Sequence, residues 1–172
     1  MAEENHTPLL VRDLMKVGVA TCAPDTLVIE IARLLVEKGL EAIIVLDPED
    51  GHAIGMVSQE ELVQVYGRSG DRPQTAEDIL REDIPTAPPD IPVQAAAQIM
   101  LDRRVRVLFM MHHAGGVIYP AAFLSFSHLI RHLAARNGEE LKDLGIQAER
   151  QSPLDAFIQR REAARRARGG KL

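Results

Sequence analysis

Apolar residues follow two different periods along the chain, and each period predicts a different secondary structure. The runs "LEAIIVLD" (40–47) and "VRVLFMMH" (105–112) are too short for helices and rich in branched residues, which predicts two buried strands. The segment before the first run has apolar residues at helical spacing and ends at Gly39, a typical helix stop. The apolar positions of this predicted helix are Leu27, Ile31, Leu34 and Leu35.

A strand and a helix are predicted to follow the first buried strand. "GHAIGMVS" (51–58) has strand character and comes after a turn at Asp50-Gly51, and "QEELVQVYG" (59–67) reads as a closing helix. In the second half of the chain, the segment "HHAGG" with His112 and His113 is expected to form a solvated turn.

The same pattern of residues occurs twice. The segment that begins "DLMKVGVATCAPD" at Asp13 is matched 65 residues later by "DILREDIPTAPPD" at Asp78, and the spacing becomes 67 where Ser58 matches Ser125. Each copy predicts the element order α-β-α-β-β-α. Helix starts are expected at Thr7-Pro8, at Thr75 with Asp78, and at the N-caps Asp25 and Asp90.

These copies divide the chain into four predicted parts. They are a first repeat (8–66), a linker (67–75), a second repeat (76–135) and a C-terminal extension with a basic helix (136–172). A unit of this size cannot bury a full core alone, so the repeats should pack sheet to sheet with pseudo-twofold symmetry. The predicted class is therefore α/β (α+β) with a C-terminal helical tail.

Composition narrows the function classes. The chain has 172 residues, 46% of them hydrophobic, which suffices for a globular core. The single cysteine, Cys22, excludes an intramolecular disulfide framework and CxxC zinc sites, which favours a reducing compartment. The acidic N-terminus is unlike a signal peptide, and no apolar run spans a bilayer, so we expect a cytoplasmic protein without membrane contact.

Charge is unevenly distributed along the chain. The formal net charge is −5, with +5 on residues 150–172 and −10 on the rest. An acidic body does not favour nucleic acid as a partner. In the tail, Ser152 and Pro153 predict a helix start and Leu154, Phe157 and Ile158 a short apolar face. The arginines that follow are typical of a solvated helix end, and no aromatic residues interleave them for base stacking.

The repeated pattern resembles a tandem pair of CBS domains, the Bateman module, over residues 8–135. The segments that carry the resemblance are "DLM", "TCAPD", "EAIIVLD" and "GMVSQEEL" in the first copy and "DIL", "TAPPD", "VRVLFMM" and "FLSFSHLI" in the second. The resemblance implies a regulatory module without catalytic activity or a required cofactor. It also implies two clefts between the repeats that hold adenosine derivatives such as AMP, ADP, ATP or S-adenosylmethionine.

The resemblance also implies which residues line these clefts. In the family, a hydroxyl at the strand-to-helix corner touches phosphate and an aspartate three residues later holds the ribose. Ser58 and Ser125 match the hydroxyl, whereas Glu61 and His128 stand where the aspartates would be. Glutamate keeps a carboxylate acceptor, and histidine does not. The segments with Thr21 and Cys22 and with Thr86 border the clefts and would line the adenine pocket.

Each of these residues also has a purely structural interpretation. Helix capping alone explains the corner serines, and backbone satisfaction explains Thr21 and Thr86. Packing explains Cys22 better than nucleophilic chemistry does. His128 and His132 have a spacing that can bind metal, but the sequence fixes no third ligand, so we predict no metal site and no enzyme.

Two substitutions set the last strand of the second copy apart. Ala122 stands where the family has glycine, and Pro120 removes a backbone N–H from the strand, so we expect an irregular edge there. By analogy with the family, Arg106 is one of the arginines that would lie near the phosphate groups of a ligand.

Two function hypotheses follow from the sequence. The first is a regulatory module that binds an adenosine ligand between the repeats and signals to a regulated protein by a conformational shift. The second is a ligand-free dimerising adaptor whose C-terminal helix contacts a protein or nucleic acid. The resemblance and the apolar tail face favour a homodimer in either case.

Overall fold

The computed structural model describes residues 8–68 and 74–135. Within these ranges the chain forms six helices and six strands. The helices are α1 (Val11–Leu14), α2 (Val28–Lys38), α3 (Gln59–Tyr66), α4 (Ala76–Ile79), α5 (Val93–Asp102) and α6 (Phe126–Ala134). The strands are β1 (Lys16–Val17), β2 (Thr21–Cys22), β3 (Ala42–Leu46), β4 (Ala53–Ser58), β5 (Val107–Ala114) and β6 (Val117–Ser125). The predicted tail helix lies outside the described residues.

The strands form two three-stranded sheets. One has the order β2-β3-β4 and the other β1-β6-β5. β2 runs parallel to β3, while β3–β4, β5–β6 and β1–β6 are antiparallel. The long hairpins β3–β4 and β5–β6 contain the apolar runs that the sequence predicts as strands. These runs are almost continuously apolar because both faces of each sheet are covered.

The two repeats exchange short backbone segments. β1, from the first repeat, pairs with β6 of the second repeat, with Lys16 opposite Phe123. In return, Arg81 of the second repeat pairs with Met56 on β4 through two backbone hydrogen bonds of 2.8 and 2.9 Å. A sequence repeat is therefore not a spatial unit, and each sheet needs both halves of the chain.

Three apolar clusters make up the core of the described region. The middle cluster lies between the two sheets and joins Ile44 and Met56 of one sheet to Phe109 and Phe123 of the other. An outer cluster packs α1 and α5 against the β1-β6-β5 sheet, and another packs α2 and α4 against the β2-β3-β4 sheet. This order of layers, helix, sheet, sheet, helix, confirms the predicted architecture of two sheets packed face to face.

Helix boundaries agree with the sequence in part. Gly39 ends α2 with a φ of 58°, as predicted, and the Thr75 N–H donates to the Asp78 carboxylate at the start of α4. The predicted N-caps Asp25 and Asp90 are wrong, because α2 and α5 begin two residues later, with Leu27 and Pro92 at the N-cap.

The N-terminal part of the first repeat also differs from the prediction. α1 begins at Val11, and not at Thr7-Pro8; Thr7 itself lies outside the described residues. The Leu10 N–H donates to Asp13 at 3.0 Å, which stabilises this later start. Asp90, the misassigned cap, instead pairs with Arg12 of α1 at 2.7 Å and links the two repeats.

The predicted turn at His112-His113 is wrong. Both histidines are exposed strand residues of β5, and the turn lies at Gly115-Gly116, which have φ values of 59° and 81°. Two consecutive glycines with positive φ make a tight hairpin turn, so the strand continues up to Ala114.

The expected irregularity near Pro120 is present, but it is not specific to the proline. The β5–β6 register shifts between Met110 and Met111, and the β3–β4 register shifts at the equivalent point, between Val45 and Leu46. Both hairpins therefore contain a bulge at the same place. Pro120 does not lie on an edge strand, because β6 is the middle strand of its sheet.

Candidate functional site

The strand-to-helix corner at Ser58 is a capping box. The Ser58 N–H donates to the Glu61 carboxylate at 2.8 Å, the Ser58 hydroxyl donates to the same carboxylate oxygen, and the Glu60 N–H donates to the hydroxyl at 3.1 Å. Glu61 is 8% exposed. Its carboxylate oxygen Oε2 is thus engaged with the helix start, and its predicted contact with a ribose stays a prediction.

The equivalent corner at Ser125 uses an imidazole for the same purpose. The Ser125 N–H donates to His128 Nδ1 at 3.3 Å, and the Ser125 hydroxyl shares a hydrogen bond of 2.7 Å with Ser127. Burial, together with the positive charges of Arg131 and Lys16, lowers the pKa of His128 to about 4. The ring is therefore neutral at physiological pH, and its Nε2 carries the proton.

The segments that precede the main strands lie at the sheet edges. Thr21 and Cys22 pair with Ile44 and Val45 in parallel, whereas Thr86, in the second repeat, forms a single parallel bridge to Phe109 and is exposed. Cys22 packs against the outer cluster beneath α2, and burial raises the pKa of its thiol to about 11. A thiol with this pKa is protonated at neutral pH, which agrees with a packing role.

An open cleft lies between the Ser58 corner and the second repeat. It contains about 340 Å³ of empty space, part of which is open to solvent. The first repeat contributes Glu41, Met56, Ser58, Gln59 and Glu60, and the second contributes Arg81, Arg104, Val105, Arg106 and Val107. The cleft therefore combines a helix start with three arginines from the other half of the chain.

Charge in the cleft is only partly balanced. Glu41 Oε2 lies 3.7 Å from Arg106 Nε, and the two side chains are 11% and 64% exposed. Burial raises the pKa of the Glu41 carboxyl, while Arg106 and the Ser127 backbone act in the opposite direction. Arg81 Nε is buried without a hydrogen-bond partner among the described residues. Arg81 as a whole is half-buried and lines the cleft, and a buried N–H without a partner is unusual, so Arg81 is a candidate for ligand contact.

Arg104 stands in a backbone conformation that favours glycine. It follows the end of α5 with a φ of 54°, the one positive φ of a non-glycine residue in the described part of the chain. The equivalent residue after α2 is Gly39, with a φ of 58°. Sequence reasoning missed Arg104 and Arg81. The repeat alignment places Arg104 opposite Gly39, and an arginine at a position where the other repeat has a glycine is a signal that could have identified Arg104.

Comparison with known families decides the relationship. The family model described as the CBS domain matches residues 11–68 and 76–134. The chain belongs to the CBS-domain family. Its two matched segments form a CBS pair of the kind seen in several solved structures, although these likenesses are distant in sequence and show the fold alone.

One sequence relative and two solved structures are similar to this CBS pair. An uncharacterized protein of Methanopyrus kandleri, MK0525, is 25% identical over 134 residues, which cover 77% of this chain and 68% of that protein. The CBS domain pair of protein MJ0100, in complex with 5′-methylthioadenosine and S-adenosyl-L-methionine, has a TM-score of 0.64 and 17% identity, covering 76% of this chain and 99% of that one. CBSX2 in complex with AMP has a TM-score of 0.59 and 21% identity, covering 73% and 96%.

The seven residues that the sequence predicts as ligand contacts are distributed unevenly in this CBS pair. Ser58 lines the open cleft, whereas the other six do not. These are Thr21, Cys22, Glu61, Thr86, Ser125 and His128. Whether they contact a ligand stays a prediction, with Glu61 and His128 already engaged as helix-capping acceptors.

Two further observations limit the chemistry of the described residues. Within residues 8–68 and 74–135, no three His, Cys, Asp or Glu side chains lie close enough together to hold a metal ion, and this includes the surroundings of His128 and His132. In the same ranges, the longest helices are too short, and not apolar enough, to cross a bilayer.

Proposed function

We propose that this CBS pair binds an adenosine-containing ligand in the Ser58 cleft and thereby regulates a partner protein. The observation that supports the proposal is the composition of the cleft, whose wall comes from both halves of the chain. Structural relatives with the same fold are described in complex with methylthioadenosine, S-adenosylmethionine and AMP. The chain has no assigned catalytic residue in this proposal, and the ligand acts as a signal.

The proposed mechanism is a population shift. A ligand that contacts Ser58 on one side and Arg106 on the other bridges the repeats across the inter-sheet core. The ligand therefore stabilises the arrangement in which both walls of the cleft contact it, relative to arrangements in which the two walls lie further apart. A partner protein that binds one arrangement better would sense the ligand concentration.

A thermal-shift titration of the full chain tests the proposal. AMP, ADP, ATP, NAD and S-adenosylmethionine are each added in excess, with GTP as the control for the adenine base. A ligand at about 100 times its Kd stabilises the folded state by about 2.7 kcal/mol, which gives a clear rise in Tm. The proposal is lost if none of the adenosine compounds raises Tm.

A pair of substitutions on α3 tests the location. Gln59 lines the cleft, and Gln64 is an exposed residue of the same helix that does not line it. Gln59→Trp should block the cleft and abolish the ligand-induced rise in Tm. Gln64→Trp should leave the rise intact, and equal loss in both variants would place the ligand elsewhere.

The pair also presents two apolar helix faces that suit a homodimer. The first has Val36, Val63 and Tyr66 on α2 and α3, and Tyr66 is 93% exposed. The second face has the equivalent residues of α5 and α6, which are Leu101, Ile130 and Leu133. Exposed apolar patches of this kind mark association surfaces, and the matching faces would let two copies pair around a twofold axis.

The dimer is tested by light scattering after size-exclusion chromatography. The wild-type chain should elute with twice the mass of one chain, and Tyr66→Arg with Leu133→Arg should give the monomer mass. Gln64→Arg, on α3 as well, is the control for added charge. A wild-type monomer would contradict the dimer without affecting the ligand proposal.

A further inference from the structure

We propose that Glu41 is a carboxylate relay between the two strand-to-helix corners of this CBS pair. Its side chain faces Arg106 at the Ser58 cleft and also caps α6 at the Ser125 corner, so that a change of charge at one corner alters the other. The inference goes beyond the proposed function, because it concerns communication within the chain and holds with or without a ligand.

Glu41 and Arg106 are equivalent residues of the two repeats, and each lies directly before a main strand. The backbone of each residue is fixed at the corner of its own repeat. The Gln59 N–H donates to the Glu41 carbonyl at 3.0 Å, and at the other corner the Phe126 N–H donates to the carbonyl of Arg106 at 2.9 Å. The two side chains meet between the repeats, with Glu41 Oε2 3.7 Å from Arg106 Nε. The pseudo-twofold relation therefore brings a residue into contact with its own equivalent, one acidic and the other basic.

The second N–H group of α6 needs an acceptor from outside its own corner. The N–H groups in the first turn of a helix have no partner within the helix. In α3 the Ser58 hydroxyl accepts from this N–H group, which belongs to Glu60, at 3.1 Å. In α6 the Ser125 hydroxyl makes no capping bond of this kind and instead shares a hydrogen bond of 2.7 Å with the Ser127 hydroxyl. The Ser127 N–H is therefore available to another acceptor.

Glu41 supplies this acceptor from the first repeat. Its carboxylate accepts a hydrogen bond from the Ser127 backbone, and its side chain is 11% exposed. A negative charge is favoured at the start of a helix, and a charged acceptor forms a stronger hydrogen bond with a backbone N–H than a neutral one does. Arg106 cannot do the same for α3, because a guanidinium group has no acceptor. This difference explains why the first corner uses its own serine and the second uses a carboxylate of the other repeat.

The relay follows from the sharing of one carboxylate between two donors. Burial raises the pKa of Glu41, whereas Arg106 and the hydrogen bond from Ser127 lower it. If Arg106 is substituted, or if another group in the cleft engages its guanidinium, Glu41 loses one of the two interactions that keep it ionised. A protonated Glu41 is a weaker acceptor for the Ser127 N–H. The charge of the Ser58 cleft is thereby transmitted to the start of α6.

Other charged or titratable groups on the surrounding elements determine the controls. His128 follows Ser127 on α6 and has a pKa of about 4, so its titration must be separated from that of Glu41. Glu60 is an exposed carboxylate of the same cleft, so Glu60→Gln is the matched control for Glu41→Gln. The groups on the elements packed around Glu41 are Arg81, Arg104, Arg106 and Glu60 in the cleft and His128 and Arg131 on α6.

An NMR titration of the full chain without ligand tests the relay. The amide resonance of Ser127 should move as Glu41 ionises, and this transition should be lost in Glu41→Gln. In Arg106→Gln the midpoint of the transition should move to higher pH, because the cation that favours the carboxylate is gone. The transition should remain in His128→Gln, which removes the imidazole, and in Glu60→Gln.

Amide hydrogen exchange at Ser127 provides a second measurement. Glu41→Ala removes the acceptor and should make the Ser127 amide exchange about fivefold faster at neutral pH. Glu41→Gln retains a neutral acceptor and should restore most of the protection. Glu60→Ala should leave the exchange rate of Ser127 unchanged.

Three results would overturn the inference. They are a Ser127 transition that persists in Glu41→Gln, a midpoint that stays in place or falls in Arg106→Gln, and equal exchange rates in Glu41→Ala and the wild type. These measurements contain no ligand, so they are independent of the proposed function. If no adenosine compound binds, the proposed function is wrong and the relay stands.

Discussion

Glu61 and His128 occupy the same position at the start of equivalent helices and perform the same structural task. Each accepts a hydrogen bond from the backbone N–H of the serine three residues earlier, at 2.8 Å for Glu61 and 3.3 Å for His128. A carboxylate and a neutral imidazole thus replace one another as capping acceptors. Both side chains are buried, and burial opposes protonation of His128, which would remove its acceptor.

The stability of the protein should depend on the protonation of His128. Its folded pKa is about 4, below the ordinary value of 6.5, so the unfolded chain takes up a proton first as pH falls. The stabilisation is complete above pH 6.5 and is lost as pH falls from 6.5 towards 4. Urea unfolding should show a loss of about 2 kcal/mol from this group between pH 7.5 and pH 5.

His128→Gln is the control for this pH dependence. Glutamine retains an acceptor for the Ser125 N–H and does not titrate. The variant should lose less stability than the wild type between pH 7.5 and pH 5. Identical pH dependence in both proteins would show that His128 does not titrate as inferred.

The two corner serines should differ in their contribution to stability. Ser58 accepts a hydrogen bond from the Glu60 N–H, whereas the Ser125 hydroxyl contacts Ser127 and caps no backbone group through its side chain. Ser58→Ala should lower the free energy of unfolding by about 1 kcal/mol, and Ser125→Ala by less. Denaturant titration measures both, and a larger loss in Ser125→Ala would contradict the assignment of the cap.

Gly55 should not tolerate a side chain. A Cβ there would lie 2.6 Å from Leu80 Cδ1 and 2.9 Å from the Arg81 carbonyl oxygen, because the exchanged segment passes directly over it. Gly55→Ala should therefore lower the free energy of unfolding by about 1–3 kcal/mol. In Gly67→Ala the nearest atoms lie 3.6 Å away, so this control should unfold like the wild type.

Arg104 and Arg103 should respond to glycine substitution with opposite signs. Arg104→Gly relieves a positive φ and should raise the free energy of unfolding by about 1 kcal/mol. Arg103 has a helical φ of −85° and pairs with Asp83, so Arg103→Gly should lower it by about 1 kcal/mol. Destabilisation by both substitutions would mean that the backbone at Arg104 is not strained.

Sequence reasoning predicted the strands and the repeat because both depend on local patterns. The apolar runs became the hairpins β3–β4 and β5–β6, and Ser58 and Ser125 lie at the predicted corners. The exchange of β1 and the Arg81 segment between sheets was not predictable in this way, because pairing between segments distant in sequence leaves no periodicity in either segment.

The candidate site was predicted less completely for a related reason. Repeat alignment selects positions where the two copies agree, such as Ser58 with Ser125. The arginines of the cleft stand where the copies differ, with Arg104 opposite Gly39 and Arg106 opposite Glu41. Their convergence on the Ser58 corner depends on the packing of the two sheets, which no local pattern specifies.

Hydrogen–deuterium exchange with ATP tests the central claim most directly, since it locates the ligand on the intact chain. If ATP binds between the repeats, amides of residues 56–60 and of residues 104–107 should become protected together, because these segments form opposite walls of one cleft. Protection confined to one wall, protection elsewhere, or none at saturating ATP would contradict a ligand site between the two repeats.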